Sequence, residues 1–283
     1  MARVLDLRRS LILGFLAAVA CATSQAGAYQ AEQVAYDWPA AMKAVAQKFK
    51  GTPGVYLHLG DSISYANPYS QYARNGQGHS AEEKAFLKWS HCNDRNDTDG
   101  WFLTSNDVQN GRSHTAASGV RADEYLQGGK HGLPSLADIV KKYNPQMALV
   151  MLGTNDLSAG RPVAAYIADM EKLVDALLAN GTVPLLSTLP PHLKKMEACD
   201  QYNAALKALA EKKKLPLVDL NAEMRARAGE AYTKGYMADD GVHLSPASSN
   251  GPASEENLKQ CGYLLRGYLA VQKGMEVKAK VLD

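Results

Sequence analysis

A chain of 283 residues with 46% hydrophobic and 21% charged side chains has the composition of an ordinary globular protein, one large domain or two small ones. That excludes wholesale disorder, a collagen-like repeat and a disulfide-dense mini-protein. The formal net charge is +2, and the first 28 residues carry Arg3, Arg8 and Arg9 against Asp6. The remainder is neutral, with 28 basic and 28 acidic residues, and has no general electrostatic pull toward nucleic acid or anionic lipid.

Residues 1–28 read as an export signal. Arg8-Arg9 precede an apolar run from Leu11 to Ala22, the length of a signal-peptide hydrophobic region and too short to cross a bilayer. Ala26-Gly27-Ala28 offers small residues for cleavage, which puts the mature start at Tyr29 and leaves one domain over residues 29–283. A buried N-terminal helix is the plain alternative. Arg8-Arg9-Ser10-Leu11-Ile12 also has some likeness to a twin-arginine signal. Ala18-Val19-Ala20-Cys21 has some likeness to a lipoprotein cleavage box, although alanine stands where leucine is usual. No later apolar run is long enough to span a membrane. The expectation is a periplasmic or secreted product without stable membrane insertion.

From residue 53 onward, strand-like and helix-like stretches alternate. Val55 to Leu59 is a short β-prone run ending at Gly60. Leu136, Ile139, Val140 and Tyr143 outline a helix that stops before Pro145. Met147 to Leu152 is a near-continuous apolar run of buried-strand type. Val163, Tyr166, Ile167, Met170, Leu173, Val174, Leu177 and Leu178 form one apolar stripe on a long helix closed by Gly181. Val183 to Leu186 and Leu215 to Leu220 repeat the strand pattern. Tyr202, Leu206 and Leu209 mark the helix between them, and Leu258, Cys261, Leu264, Leu265, Tyr268 and Leu269 mark the last. Such alternation predicts an α/β fold, a three-layer α/β/α sandwich on a parallel sheet, with its site at the carboxyl ends of the strands.

Two stretches break the alternation, residues 63–112 and the loop-like 245–254. The first leaves the end of the first strand, where a lid or substrate shelf would lie. Its Tyr65, Tyr69, Tyr72, Trp89 and Trp101 are either stacking surfaces or, as Phe86, Leu87 and Trp89 suggest, core packing. Asn93 to Gly100 ends in a D-x-D-G pattern, but Arg95 occupies a position where a calcium loop needs an oxygen, so a solvated loop is the expectation. Lys212-Lys213-Lys214 closes a helix and complements its dipole. Beyond Cys21, the thiols are Cys92, Cys199 and Cys261. Three allow at most one bridge, and no CxxC spacing suggests zinc or a redox dithiol. Buried inert thiols are the plain reading. No metal or cofactor is expected.

Four short segments carry chemistry. Gly60-Asp61-Ser62 directly follows the first strand, where a serine can stand exposed at the top of the sheet. Ser64 is a rival hydroxyl that would face the other way if the strand continued. Ser118-Gly119 puts a backbone N–H, unshielded by a Cβ, in a loop. Gly153-Thr154-Asn155-Asp156 follows the second strand, and an asparagine amide there is a neutral donor suited to an oxyanion. Asp240-Gly241-Val242-His243 can bring a carboxylate to one imidazole nitrogen and leave the other free to take a proton. Each segment alone is also an ordinary turn.

In this order, GDSIS at 60–64, Gly119, GTND at 153–156 and DGVH at 240–243 resemble the blocks of the SGNH (GDSL-type) hydrolase family, over roughly residues 53–270. The resemblance implies a flavodoxin-like sheet and a serine esterase acting on a small-molecule or glycan acyl ester. It implies Ser62 as nucleophile, His243 as base and acid, and Asp240 as the group that orients the imidazole. The Ser62 N–H, the Gly119 N–H and the Asn155 side-chain amide would form the oxyanion hole. One departure from the family is the Leu244-Ser245-Pro246 sequence after the histidine, where proline often follows directly. An acyltransferase using the same residues, and a silent carbohydrate-binding protein, are the alternatives.

Overall fold

The computed structural model describes residues 34–104, 114–229 and 232–283. The export signal over residues 1–28, including Cys21, and the mature start at Tyr29 lie outside the described residues, as do residues 105–112 of the expected shelf.

Four parallel strands lie side by side in chain order: β1 (Tyr56–Gly60), β2 (Met147–Met151), β3 (Val183–Ser187) and β4 (Leu217–Val218). Tyr56 is level with Met147, Met147 with Val183, and Leu186 with Leu217. Every strand residue is buried, as runs without alternation require when helices cover both faces. Outside β1, Ala116 makes one parallel bridge to Gly60. There the Gly60 N–H donates to Thr115 O at 3.3 Å and the Ala117 N–H to Gly60 O at 3.2 Å. Counted as a vestigial edge strand, this bridge completes the flavodoxin-like order 2-1-3-4-5. The sandwich expected from the alternation is the one observed.

In chain order the helices are α1 (Trp38–Ala46), α2 (Ser62–Tyr65), α3 (Asn67–Asn75), α4 (Ala81–Trp89), α5 (Gly100–Leu103), α6 (Ala122–Gln127) and α7 (Leu136–Tyr143). They continue with α8 (Thr154–Ser158), α9 (Val163–Asn180), α10 (Met196–Lys213), α11 (Leu220–Ala228), α12 (Tyr232–Tyr236), α13 (Glu255–Leu258) and α14 (Gly262–Val277). One layer is α6, α7, α9 and α10, with α9 and α10 resting on β3. In the other, α14 packs on α3, α4 and β4.

The local sequence explains the boundaries. The stripe on α9 buries Tyr166, Met170, Leu173, Val174 and Leu177, and the helix closes in a left-handed Gly181. A Ser80–Glu83 capping box starts α4. The strand expected over Leu215–Leu220 is cut to two residues because Asp219 caps α11, its side chain accepting from the Ala222 N–H at 3.0 Å.

Residues 63–104 fold as α2 to α5. Tyr69, Tyr72 and Trp101 lie in the core, Trp89 packs against it, and Tyr65 is exposed. Asn93 to Asp97 are exposed, as a solvated loop would be, but Asp99 is not. It is buried, pairs with both terminal nitrogens of Arg74, and accepts from the N–H groups of Asn93, Arg95 and Phe102. A polar segment can hide such a carboxylate only because every lone pair finds a donor. Cys92, Cys199 and Cys261 are unbridged and buried.

Candidate active site

The site begins at the end of β1. Asp61 caps α2, its side chain accepting from the Ile63 N–H at 3.0 Å, so the chain turns from strand to helix within two residues. Ser62 is the first residue of that helix and is half-buried at its mouth. Among the described residues its N–H has no hydrogen-bond partner, and a first-turn amide has none to gain within its own helix. Ser64, the rival hydroxyl, is fully buried and accepts from Arg266 Nη2 at 2.7 Å. It faces the interior, away from the imidazole.

His243 reaches Ser62 from the far end of the sequence. Met237 and Leu244 form an antiparallel bridge, and Ala238 N–H donates to His243 O at 2.8 Å, so residues 236–245 make a narrow loop with Asp240 at its tip. Ser245 anchors the base of the loop: its N–H donates to Tyr236 O, and its hydroxyl accepts from the Gly262 N–H that starts α14. Ser245, which stands in the stretch that departs from the family, thus ties the loop straight to the last helix. Asp240 Oδ1 accepts from the N–H groups of Val242 and His243, each at 2.9 Å. Its Oδ2 lies 2.6 Å from His243 Nδ1. Burial alone would raise the Asp240 pKa, but the two amide bonds, the imidazole bond and the ring's charge outweigh it and hold the carboxyl down at about 2. Nδ1 facing a carboxylate must carry the proton, which leaves Nε2 as acceptor. Nε2 lies 2.9 Å from Ser62 Oγ. The result is an unbroken chain from carboxylate through imidazole to hydroxyl.

The other two segments meet the same turn. Gly153, two residues past β2 and at the N-cap of α8, sits at φ +129°, and a Cβ there would collide with the Tyr166 side chain at 2.6 to 2.9 Å, so only glycine fits. Asn155 follows on α8. Its amide donates to Val120 O at 3.1 Å and to Asp61 Oδ2 at 3.3 Å. Asp156, fully buried beside it, accepts from the Ala122 N–H at 3.0 Å and from Arg161. This carboxylate pins the loop that carries Gly119. Gly119 sits at φ +72°, its carbonyl accepts from Lys130 Nζ at 2.7 Å, and among the described residues its N–H is unpartnered. Ser62, Gly119, Asn155, Asp240 and His243 thus form one connected neighbourhood.

Three residues near the site escape a sequence reading. Asp61 is fully buried, and burial pushes its pKa up to about 6 against the opposing pull of the Ile63 amide, Arg266 and His243. Leu193 is 41% exposed, and its N–H donates to Gly241 O at 2.9 Å, so it braces the Asp240–His243 loop. Arg266 interrupts the apolar stripe of α14, and one charge in a helix carries no signal by itself.

Residues 58–249 match the model of the GDSL-like Lipase/Acylhydrolase family. No curated protein matches. Among solved structures, the chain is similar to a lipase/acylhydrolase from Enterococcus faecalis, at 16% identity over 78% of this chain and 95% of that one, TM-score 0.48. It is similar to a carbohydrate esterase family 3 protein from Talaromyces cellulolyticus, at 18% identity over 76% and 97%, TM-score 0.49. A GDSL-like lipase from Bacteroides thetaiotaomicron has 15% identity over 86% and 98%, TM-score 0.46. The family match runs from within β1 past His243 and takes in Ser62, Gly119, Asn155, Asp240 and His243, so this chain belongs to the GDSL-like lipase/acylhydrolase family and is a carboxylic ester hydrolase.

Proposed function

We propose that the protein is an exported serine esterase that removes short acyl groups, O-acetyl on carbohydrate among them, with Ser62, His243 and Asp240 as its catalytic residues. The observation that carries this reading is the 2.9 Å and 2.6 Å bonds joining Ser62 Oγ, His243 and Asp240.

Ser62 Oγ attacks the ester carbonyl carbon as its proton passes to His243 Nε2. Asp240 keeps Nδ1 protonated and stabilises the imidazolium. The carbonyl oxygen takes up the negative charge beside the N–H groups of Ser62 and Gly119, which have no hydrogen-bond partner among the described residues. The Asn155 amide joins them when its longer bond, to Asp61, yields to the oxyanion. Imidazolium then gives its proton to the leaving alcohol oxygen. Water, deprotonated by the same Nε2, cleaves the acyl-enzyme and returns the carboxylic acid and free Ser62.

Short acyl groups fit the surface. Tyr65 and Leu193 are the large hydrophobic side chains exposed among the described residues, and two side chains are not the broad apolar patch a long acyl chain needs. No helix among the described residues is long and apolar enough to cross a membrane. Export rests on the sequence of residues 1–28. The neutral mature charge supports an uncharged small-molecule or glycan ester over nucleic acid.

The test is hydrolysis of p-nitrophenyl acetate, of longer p-nitrophenyl esters and of an acetylated polysaccharide, with Ser62→Ala as control. We expect acetyl to be preferred and the substitution to lower kcat at least about 1000-fold with the fold intact. Equal turnover by both proteins defeats the assignment. Acyl transfer to an added sugar in preference to water would replace hydrolysis with the transferase reading.

A further inference from the structure

We propose that Arg266 is a positioning residue for the nucleophile: from the last helix it holds the turn that presents Ser62 and fixes the charge beneath it. This rests on Ser62 being the nucleophile.

Arg266 lies in α14, 2% exposed, more than two hundred residues from the turn it touches. Nη1 donates to Ile63 O and Nη2 to Ser64 Oγ, both at 2.7 Å. The guanidinium lies 3.6 Å from the centroid of the Tyr69 ring. Among the described residues no carboxylate forms an ion pair with it, and Nε has no partner. A buried guanidinium with no carboxylate in ion-pair contact is expensive, and an apolar side chain of similar volume would fill the same space without that cost. Core packing therefore does not explain an arginine here.

What it touches does. The four-residue helix α2 is too short to hold its own shape. Its turn closes through Asp61 O and Ser62 O, which accept from Ser64, Tyr65 and Ala66. Ile63 O is left for Arg266. Asp61 grips the amide end of the turn and Arg266 the carbonyl end, so Ser62 sits between two fixed points.

The surroundings keep the cation's field on this turn. His58, across the Tyr69 ring, stays neutral because burial and then Arg266 itself lower its pKa. Arg74 is already satisfied by Asp99. Asp61 is faced by Arg266 from α14, by His243 from the Asp240–His243 loop and by Asp156 from α8. Arg266 is thus the permanent positive charge among the groups acting on the carboxylate next to Ser62.

The experiment compares Arg266→Met, Arg266→Lys, Ser64→Ala and Ser62→Ala with the parent protein. It reads kcat and KM on p-nitrophenyl acetate, the pH–rate profile and thermal unfolding. We expect Arg266→Met to lower kcat by about 10- to 100-fold, the scale of a misplaced reacting group, with KM within about twofold. Its acid limb should move to higher pH, because the cation that favours ionised Asp61 is gone. Arg266→Lys should return the limb to its parent position and part of the rate. A folded Arg266→Met with parental kcat and acid limb, or one altered in KM alone, overturns the proposal. Should Arg266→Met not fold, Arg266→Lys and Ser64→Ala decide: we expect each to lower kcat at least about threefold through loss of one of the two bonds, and parental kcat in both overturns the proposal. Parental turnover by Ser62→Ala would instead overturn the nucleophile assignment underneath it.

Discussion

Asp61 Oδ2 accepts a hydrogen bond from Asn155 Nδ2 at 3.3 Å, across 94 residues of sequence. This bond ties the turn after β1 to the turn after β2. Asp61, next to the proposed nucleophile, thus orients the amide proposed to receive the oxyanion and couples the two segments.

Asp61→Asn tests that coupling. Asparagine still caps a helix well, but it sets a second NH2 group against Asn155. We expect kcat to fall about tenfold or more, toward the cost of losing one oxyanion donor. Stability should move the other way. The folded-state pKa of Asp61 is raised from 3.8 to about 6, so its stabilising contribution is present in full below about pH 3.8 and is lost as pH rises through about 6. Urea unfolding at pH 4 and pH 7.5 should show the parent losing ground to Asp61→Asn between the two. An unchanged kcat would separate Asp61 from Asn155.

Asp240 has the opposite sign. Its pKa is held down at about 2, so its contribution is present above the ordinary carboxylate range and is lost as pH falls through about 2. The side chain is half exposed, so water screens it and little stability rests on it. Asp240→Asn should leave Tm within about 3 °C while lowering kcat by about 100- to 1000-fold, because Nδ1 no longer faces a carboxylate. A large fall in Tm would show that the loop depends on the carboxylate for its fold.

Gly119→Ala isolates the loop. Space is not the obstacle, since the nearest atom to a new Cβ is Lys130 Cε at 3.6 Å. The φ of +72° is, and holding alanine there costs about 1–2 kcal/mol. We expect a corresponding drop in unfolding free energy, and a loss of kcat larger than that of KM if the backbone relaxes and swings the N–H away. Parental stability and rate would mean the loop adapts freely.

The thiols give a chemical check. Burial pushes the Cys92 thiol up to about 12 and the Cys199 thiol up to about 11, and it raises Cys261 as well. A disulfide reagent at pH 8 should find these three unreactive in the native protein and reactive in denaturant. Fast native labelling at Cys92, Cys199 or Cys261 would contradict their burial.

Local patterns determined a good deal. Apolar runs such as Met147–Met151 and the stripe from Tyr166 to Leu177 announced strands and helices because burial acts on neighbours a few residues apart. The order of GDS, Gly119, GTND and DGVH was legible for the same reason, since each block is a turn whose residues must be contiguous. The resemblance already favoured Ser62 over Ser64, but only the tertiary structure supplies their partners: the turn sends one hydroxyl to His243 and the other to Arg266. It also decided that Asp99 is buried rather than solvated and that Arg266 lies against the turn that carries Ser62. Those outcomes depend on partners brought from distant segments, and no periodicity records a contact whose two halves are separated by most of the chain.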